Sequence, residues 1–168
     1  MVRIKRKSAA MAAWGIVIAW MAFIFTLSSQ PAQQSDELSK GVTEVVAQAV
    51  EKVAPGAELE VSNHIIRKNA HFFSYMFLGI LSAYAFRKSG MNVIGASAFA
   101  VLLCVAYAGS DELHQMFVAG RGPGLRDVLI DSAGAGAGIL MSMAVFALAG
   151  RRGRRRIGAE MVGFFKKG

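Results

Sequence analysis

The chain is short of cysteine and short of charge, and both shortages narrow what it can be. Its one cysteine, Cys104, rules out an internal disulfide. That residue lies inside an apolar run, where a thiol behaves as a small buried hydrophobe. Charged residues make up 18% of the 168 residues against 54% hydrophobic, and the mean hydropathy is positive. A water-soluble domain of this length is seldom so apolar. The zinc-protease patterns HExxH and HxxEH are absent, as is the paired Cys/His spacing of structural zinc sites. No GxSxG surrounds Ser110, which leaves it without a nucleophile's setting. The formal net charge of +8 admits a nucleic-acid partner in principle, but its distribution argues against one. The basic residues flank apolar segments, as juxtamembrane anchors do.

What is present in quantity is long apolar sequence. A helix needs about 17–25 mostly apolar residues to cross the hydrocarbon core of a bilayer. Four segments meet that length, at about 9–27, 69–86, 91–109 and 128–149. The first follows RIKRK in the manner of a signal peptide. Its apolar run outlasts a typical signal, and no small-x-small cleavage site follows, so it reads as a retained anchor. The expectation is an all-α, four-transmembrane-helix bundle formed by a single domain over 1–168.

Lysine and arginine give the orientation. Arg3, Lys5, Arg6 and Lys7 precede the first span, and Arg87 and Lys88 follow the second. Arg151, Arg152, Arg154, Arg155, Arg156, Lys166 and Lys167 follow the fourth, and of the acids only Glu160 shares that side. The positive-inside tendency therefore places both termini in the cytoplasm, with the tail 150–168 anchored at the inner surface. Segment 28–66 and loop 110–126 then lie outside. In the former, Leu38, Val42, Val45, Val46, Ala49, Val50 and Val53 recur at helical spacing until Pro55–Gly56. This predicts an amphipathic helix between spans one and two, lying on the outer membrane surface or capping the bundle.

Ionisable residues crowd the outer end. Asp111, His114 and Gln115 share one face if the third helix continues, with Glu112 beside them. Asp127 and Asp131 share a face of the fourth span that continues into Gly134, Ala135 and Gly138. Small residues let a second helix approach closely, so Asp131 is expected to point into the bundle. Span two supplies Arg67, His71 and Tyr75 on one face, with Lys68 next to Arg67. Two cations in the first turn of an outward helix end run against both the macrodipole and the positive-inside tendency, and call for an anion nearby. His64 reads as a helix-end residue without chemistry, and Trp14 and Trp20 read as packing residues.

Two readings of this constellation stand at this point. Arg67, Lys68, Arg121 and Arg126 can pair with Asp111, Glu112, Asp127 and Asp131 in a network that fixes helix packing. Alternatively the group is a site. His71, Asp111, Glu112, His114 and Asp127 are then the candidates for acid–base or catalytic work. Arg67, Lys68, Tyr75, Gln115, Arg121 and Asp131 are the candidates for ligand contact, the arginines being suited to phosphate or carboxylate. Asp111, His114 and Asp127 offer a possible divalent-metal set, with no specific cofactor indicated. GRGPG can expose backbone amides to an anion, or simply turn the chain.

Several stretches together resemble the VanZ-like family: FTLSSQP at the end of the first span, RKNAHFFSYMFLG in the second, and YAGSDELHQMFVAGR with DVLIDSAG across the third and fourth. The resemblance covers about 22–140. It implies a cell-envelope membrane protein associated with lowered susceptibility to the glycopeptide teicoplanin, and a membrane lipid or lipid-linked cell-wall precursor as partner. It brings forward the same residues, Arg67, Lys68, His71, Tyr75, Asp111, Glu112, His114, Gln115, Arg121, Asp127 and the position of Asp131. Ala119 stands where the family often has proline, Ser74 where an acid is common, and Asp131 where asparagine is frequent. The resemblance carries no reaction with it, so whether the chain is an enzyme is left open.

Overall fold

The structure is a computed structural model that describes residues 2–53, 63–122 and 124–165. It contains five helices: α1 (Val2–Ser28), α2 (Ala32–Val53), α3 (Asn63–Lys88), α4 (Val93–Gln115) and α5 (Leu125–Phe165). Pro55–Gly56, Pro123, Lys166 and Lys167 lie outside the described residues. So do the side chains of Arg3, Lys5, Arg6, Val46, Ala49, Val50, Val53 and His64, and those of the tail from Arg151 onward.

Polar contacts between helices establish their directions. Tyr107 donates to the Met21 carbonyl at 2.5 Å, and Ser28 donates to Asp111 at 2.6 Å. Residue numbers thus rise together, and α1 and α4 run parallel. The Trp20 indole donates to the Ser74 carbonyl at 2.9 Å and that of Trp14 to Ser89 at 3.1 Å, which makes α3 antiparallel to α1. Helix α5 runs parallel to α3, with Lys68 beside Asp127 and His71 beside Asp131. The ends of α1 and α4 therefore meet the starts of α3 and α5.

The core between the helices is built from few large side chains. Val17, Ile24, Tyr75 and Leu78 are buried with Cys104, Ala108 and Ala135, and a second cluster holds Ala83, Ala100 and Ile139. Helices α3 and α5 approach so closely that a Cβ on Gly134 would run into the Phe72 carbonyl, and one on Gly138 into that of Met76. This is the small-residue packing used where no hydrophobic effect drives helices together. The exterior is correspondingly apolar. Ile18, Ile94, Leu102 and Leu140 are all more than half exposed, Ile94 at 77%. Water-soluble proteins do not present such continuous apolar surface, and a lipid environment accounts for it.

Among the described residues, three helices are long and apolar enough to cross a membrane: Lys7–Ser28, Val93–Gln115 and Leu125–Gly150. Helix α3, expected as a span over 69–86, does not reach that mean hydropathy. Asn69, His71, Ser74, Tyr75, Ser82 and Tyr84 dilute its apolar residues. Helix α4 runs to Gln115, past the expected end near 109. Residues 110–115 are consequently helical, and the connection to α5 is shorter than the expected loop 110–126. Helix α5 likewise continues through the expected tail as far as Phe165, whose arginines are good helix formers. Among the described side chains of α2 the buried ones are Ser35 and Ser39, while Leu38 and Val42 remain 53% and 50% exposed beside them.

Candidate functional site

Where α1 and α4 end and α3 and α5 begin, polar side chains are buried together. Asp111 and Asp131 are 2% and 3% exposed, and Tyr75 beneath them is fully buried. The helical period explains the convergence. Asp111 and Gln115 lie one turn apart on α4, Arg67 and His71 one turn apart on α3, and Asp127 and Asp131 one turn apart on α5.

One oxygen of each buried aspartate is engaged. Asp111 Oδ2 accepts from Ser28 at 2.6 Å and from Gln115 Nε2 at 3.2 Å, and Gln115 also donates to Ser28 Oγ at 3.0 Å. Asp131 Oδ2 lies 3.5 Å from His71 Nδ1. The remaining residues are spread around this centre. Lys68 pairs with Asp127 at 3.3 Å, nearer the surface. Glu112 turns toward the α4–α5 connection and accepts from the Gly124 amide. His114 faces α1, with Nε2 3.1 Å from Ser29 Oγ and its ring 4.4 Å from that of Phe25.

The set Asp111, His114 and Asp127 is thus not drawn together as metal ligands. Among the described residues, the group whose potential ligand atoms converge, all within 4.8 Å of one another, is His71, Asp111 and Asp131. Ser28 and Ser29 belong to the site although chemistry-bearing residue types alone did not select them. The signal was SSQP at the end of the first span, two hydroxyls placed where α1 meets α4.

Two cavities adjoin His71. One, of about 220 Å³, lies between α1, α2 and α3. Ile24, Leu27, Leu38, Val42, Ile66 and Ala70 give it apolar walls, and Arg67, His71 and Arg121 contribute the charge-bearing groups. The other is a crevice of about 20 Å³ lined by Arg67, Lys68, His71, Gln115, Asp127, Ile130 and Asp131, room for about one water molecule. Arg67 and His71 line both. Arg126, one of the cations weighed for a packing network, is exposed at the start of α5.

The loop above the site is held by backbone contacts. Gly120 takes φ 76°, a left-handed conformation suited to glycine, and the Ala32 amide donates to the Ala119 carbonyl at 3.2 Å. The start of α2 is thereby tied to the connection that carries Arg121.

Apolar helices with a lipid-suited exterior, enclosing a buried acid–histidine cluster at one end, define a helical membrane protein with a polar site. The VanZ/LLP1 family model matches residues 13–147, and the chain belongs to that family. Comparison with curated proteins and with solved structures gives no match.

Proposed function

We propose that this protein binds an anionic amphiphile at the outer face of the bacterial cytoplasmic membrane, as part of cell-envelope lipid metabolism. Helix α3 is the fourth span in this reading. It packs against α1, α4 and α5, and Tyr75 and Ser82 are fully buried among them, so these polar residues meet protein rather than lipid and a lower hydropathy is tolerated. Both termini are cytoplasmic, α2 lies at the outer surface, and the site faces outward.

The observation that carries the reading is the larger cavity, which joins an apolar trough to Arg67, His71 and Arg121. At about 220 Å³ it is smaller than the roughly 300–1,000 Å³ of pockets that enclose drug-sized ligands. It suits a segment of hydrocarbon chain whose head group meets the cations. A phosphate or carboxylate head fits those cations, and a lipid-linked cell-wall precursor combines both parts. An effect on teicoplanin susceptibility follows if that precursor is the antibiotic's target.

The test is titration of the purified chain with a polyprenyl phosphate, with the uncharged polyprenol and inorganic phosphate in parallel. Both halves of the ligand are needed, so the polyprenyl phosphate binds at least about tenfold more tightly than either control, a difference of roughly 1.4 kcal/mol. Ala70→Phe, which fills the trough, removes that advantage. Equal affinity for the three compounds, or an unaffected Ala70→Phe, contradicts the reading.

A second reading, a non-catalytic packing network, is favoured by one specific arrangement. Ser28, Asp111 and Gln115 bond to one another and tie α1 to α4. Under that reading, neutralising Asp111 reduces folded yield and leaves the affinity of the folded fraction unchanged.

A further inference from the structure

We propose that His71, Asp111 and Asp131 form a binding site for a divalent transition-metal ion. Three helices supply the three ligands, α3, α4 and α5 in turn, and their ligating atoms lie within 4.8 Å of one another. Two groups bound to zinc at about 2.0–2.2 Å stand roughly 3.3–3.6 Å apart in a tetrahedral site. The 4.8 Å limit is wider than that spacing, so metal binding draws the three ligand atoms inward.

A second observation, independent of the clustering, points to an ion. Asp111 and Asp131 are 98% and 97% buried by the complement of their exposures, 2% and 3%. Each has one oxygen, Oδ1, shielded from solvent and without a hydrogen-bond partner, as is the hydroxyl of the fully buried Tyr75 nearby. Buried polar atoms are almost always satisfied, and an orphan carboxylate oxygen is costly. A cation accepts such oxygens directly. Asp111 Oδ2 is already engaged by Ser28 and Gln115, neither of them a proposed ligand, and these bonds hold that carboxylate in place.

Two carboxylates and one imidazole suit zinc or manganese better than magnesium or calcium, which prefer oxygen alone. Three protein ligands leave a coordination position open, the pattern of sites that bind water or an exogenous anion. His71 lines both cavities, so that position is reachable from them. Metal binding itself does not depend on the amphiphile reading and is tested without any lipid ligand.

The experiment strips the purified full chain with a chelator and titrates it with Zn²⁺ and Mn²⁺, with Mg²⁺ for comparison. Bound metal is read by elemental analysis, and Co²⁺ substitution is followed by visible absorption. The expected result is one tightly held Zn²⁺ or Mn²⁺ per chain and a Co²⁺ spectrum of low coordination number. Asp131→Asn and His71→Gln lower the affinity by at least about a hundredfold, the upper end of the loss caused by removing even an outer-shell partner. His114→Ala leaves it unchanged. Helical circular dichroism identifies folded variants, and the wild-type titration stands alone should a variant fail to fold. Absence of stoichiometric binding in the wild type, or equal affinity in folded His71→Gln, overturns the proposal.

Discussion

Burial separates the acids of the site into two kinds. Asp111 is 2% exposed and depends on Ser28 and Gln115, whereas Asp127 meets Lys68 in a pair whose side chains are 36% and 23% exposed. Hydrogen bonds to a buried charged group contribute about 1.5–3 kcal/mol each, so Ser28→Ala is expected to destabilise the protein by that amount, measured by reversible unfolding in mixed micelles. A double-mutant cycle of Lys68→Met and Asp127→Asn is expected to give only about 0–1 kcal/mol of coupling, because the pair is partly solvated. The residue types of the site were readable because acids, a histidine and arginines are conspicuous between apolar spans. Their partners were not. Sequence spacing grouped His114 with Asp111 on one helical face, but a face some 100° wide admits two different neighbours, and His114 meets Ser29 of α1 while Asp111 shares the cluster with His71 and Asp131.

The pairing of α3 with α5 is the element on which the site depends. These helices present His71 and Asp131 to each other, and their separation is set by Gly134 and Gly138. Gly138→Val is expected to force the backbones apart and to reduce folded yield sharply, whereas Gly136→Ala, where nothing lies within 4 Å, is expected to stay within about 0.5 kcal/mol of wild type. Thermal unfolding of the two purified variants distinguishes these outcomes. SAGAGAG already announced a close helix contact. Its partner was not legible, since a stripe of small residues accepts any helix. Element ends were equally elusive: Asp111, Glu112 and His114 read as loop residues by polarity, yet α4 carries them to Gln115 because their buried contacts offset the loss of apolar character.

For the whole molecule, the apolar exterior indicates a membrane protein, and the proposed orientation, with the site outward, is open to a direct test. In the sequence, thirteen of the nineteen lysines and arginines flank the ends of the helices away from the buried acids, while Arg67, Lys68, Arg121 and Arg126 lie at the acids' own end. In a Cys104→Ser background, Gly122→Cys is expected to react with a membrane-impermeant maleimide in intact cells, and Gly150→Cys only after permeabilisation. Both glycines are exposed, with nothing within 4 Å of the added Cβ. The reverse pattern would invert the topology and place the site in the cytoplasm. Helical class and three of the spans were legible from hydropathy. Helix α3 was expected as a span from its length and lack of charge, but its mean hydropathy falls short of the other three because Asn69, His71, Ser74, Tyr75, Ser82 and Tyr84 interrupt its apolar residues.

The central claim is that the buried polar cluster and the apolar trough form one site for an anionic amphiphile. Native mass spectrometry of the chain released from lipid nanodiscs tests it most directly. The expected spectrum shows one phosphate-bearing lipid retained on the wild-type chain and lost from Ala70→Phe. A bare wild-type chain, or equal retention by the two, would contradict the account and leave the cluster as a device that fastens helices together.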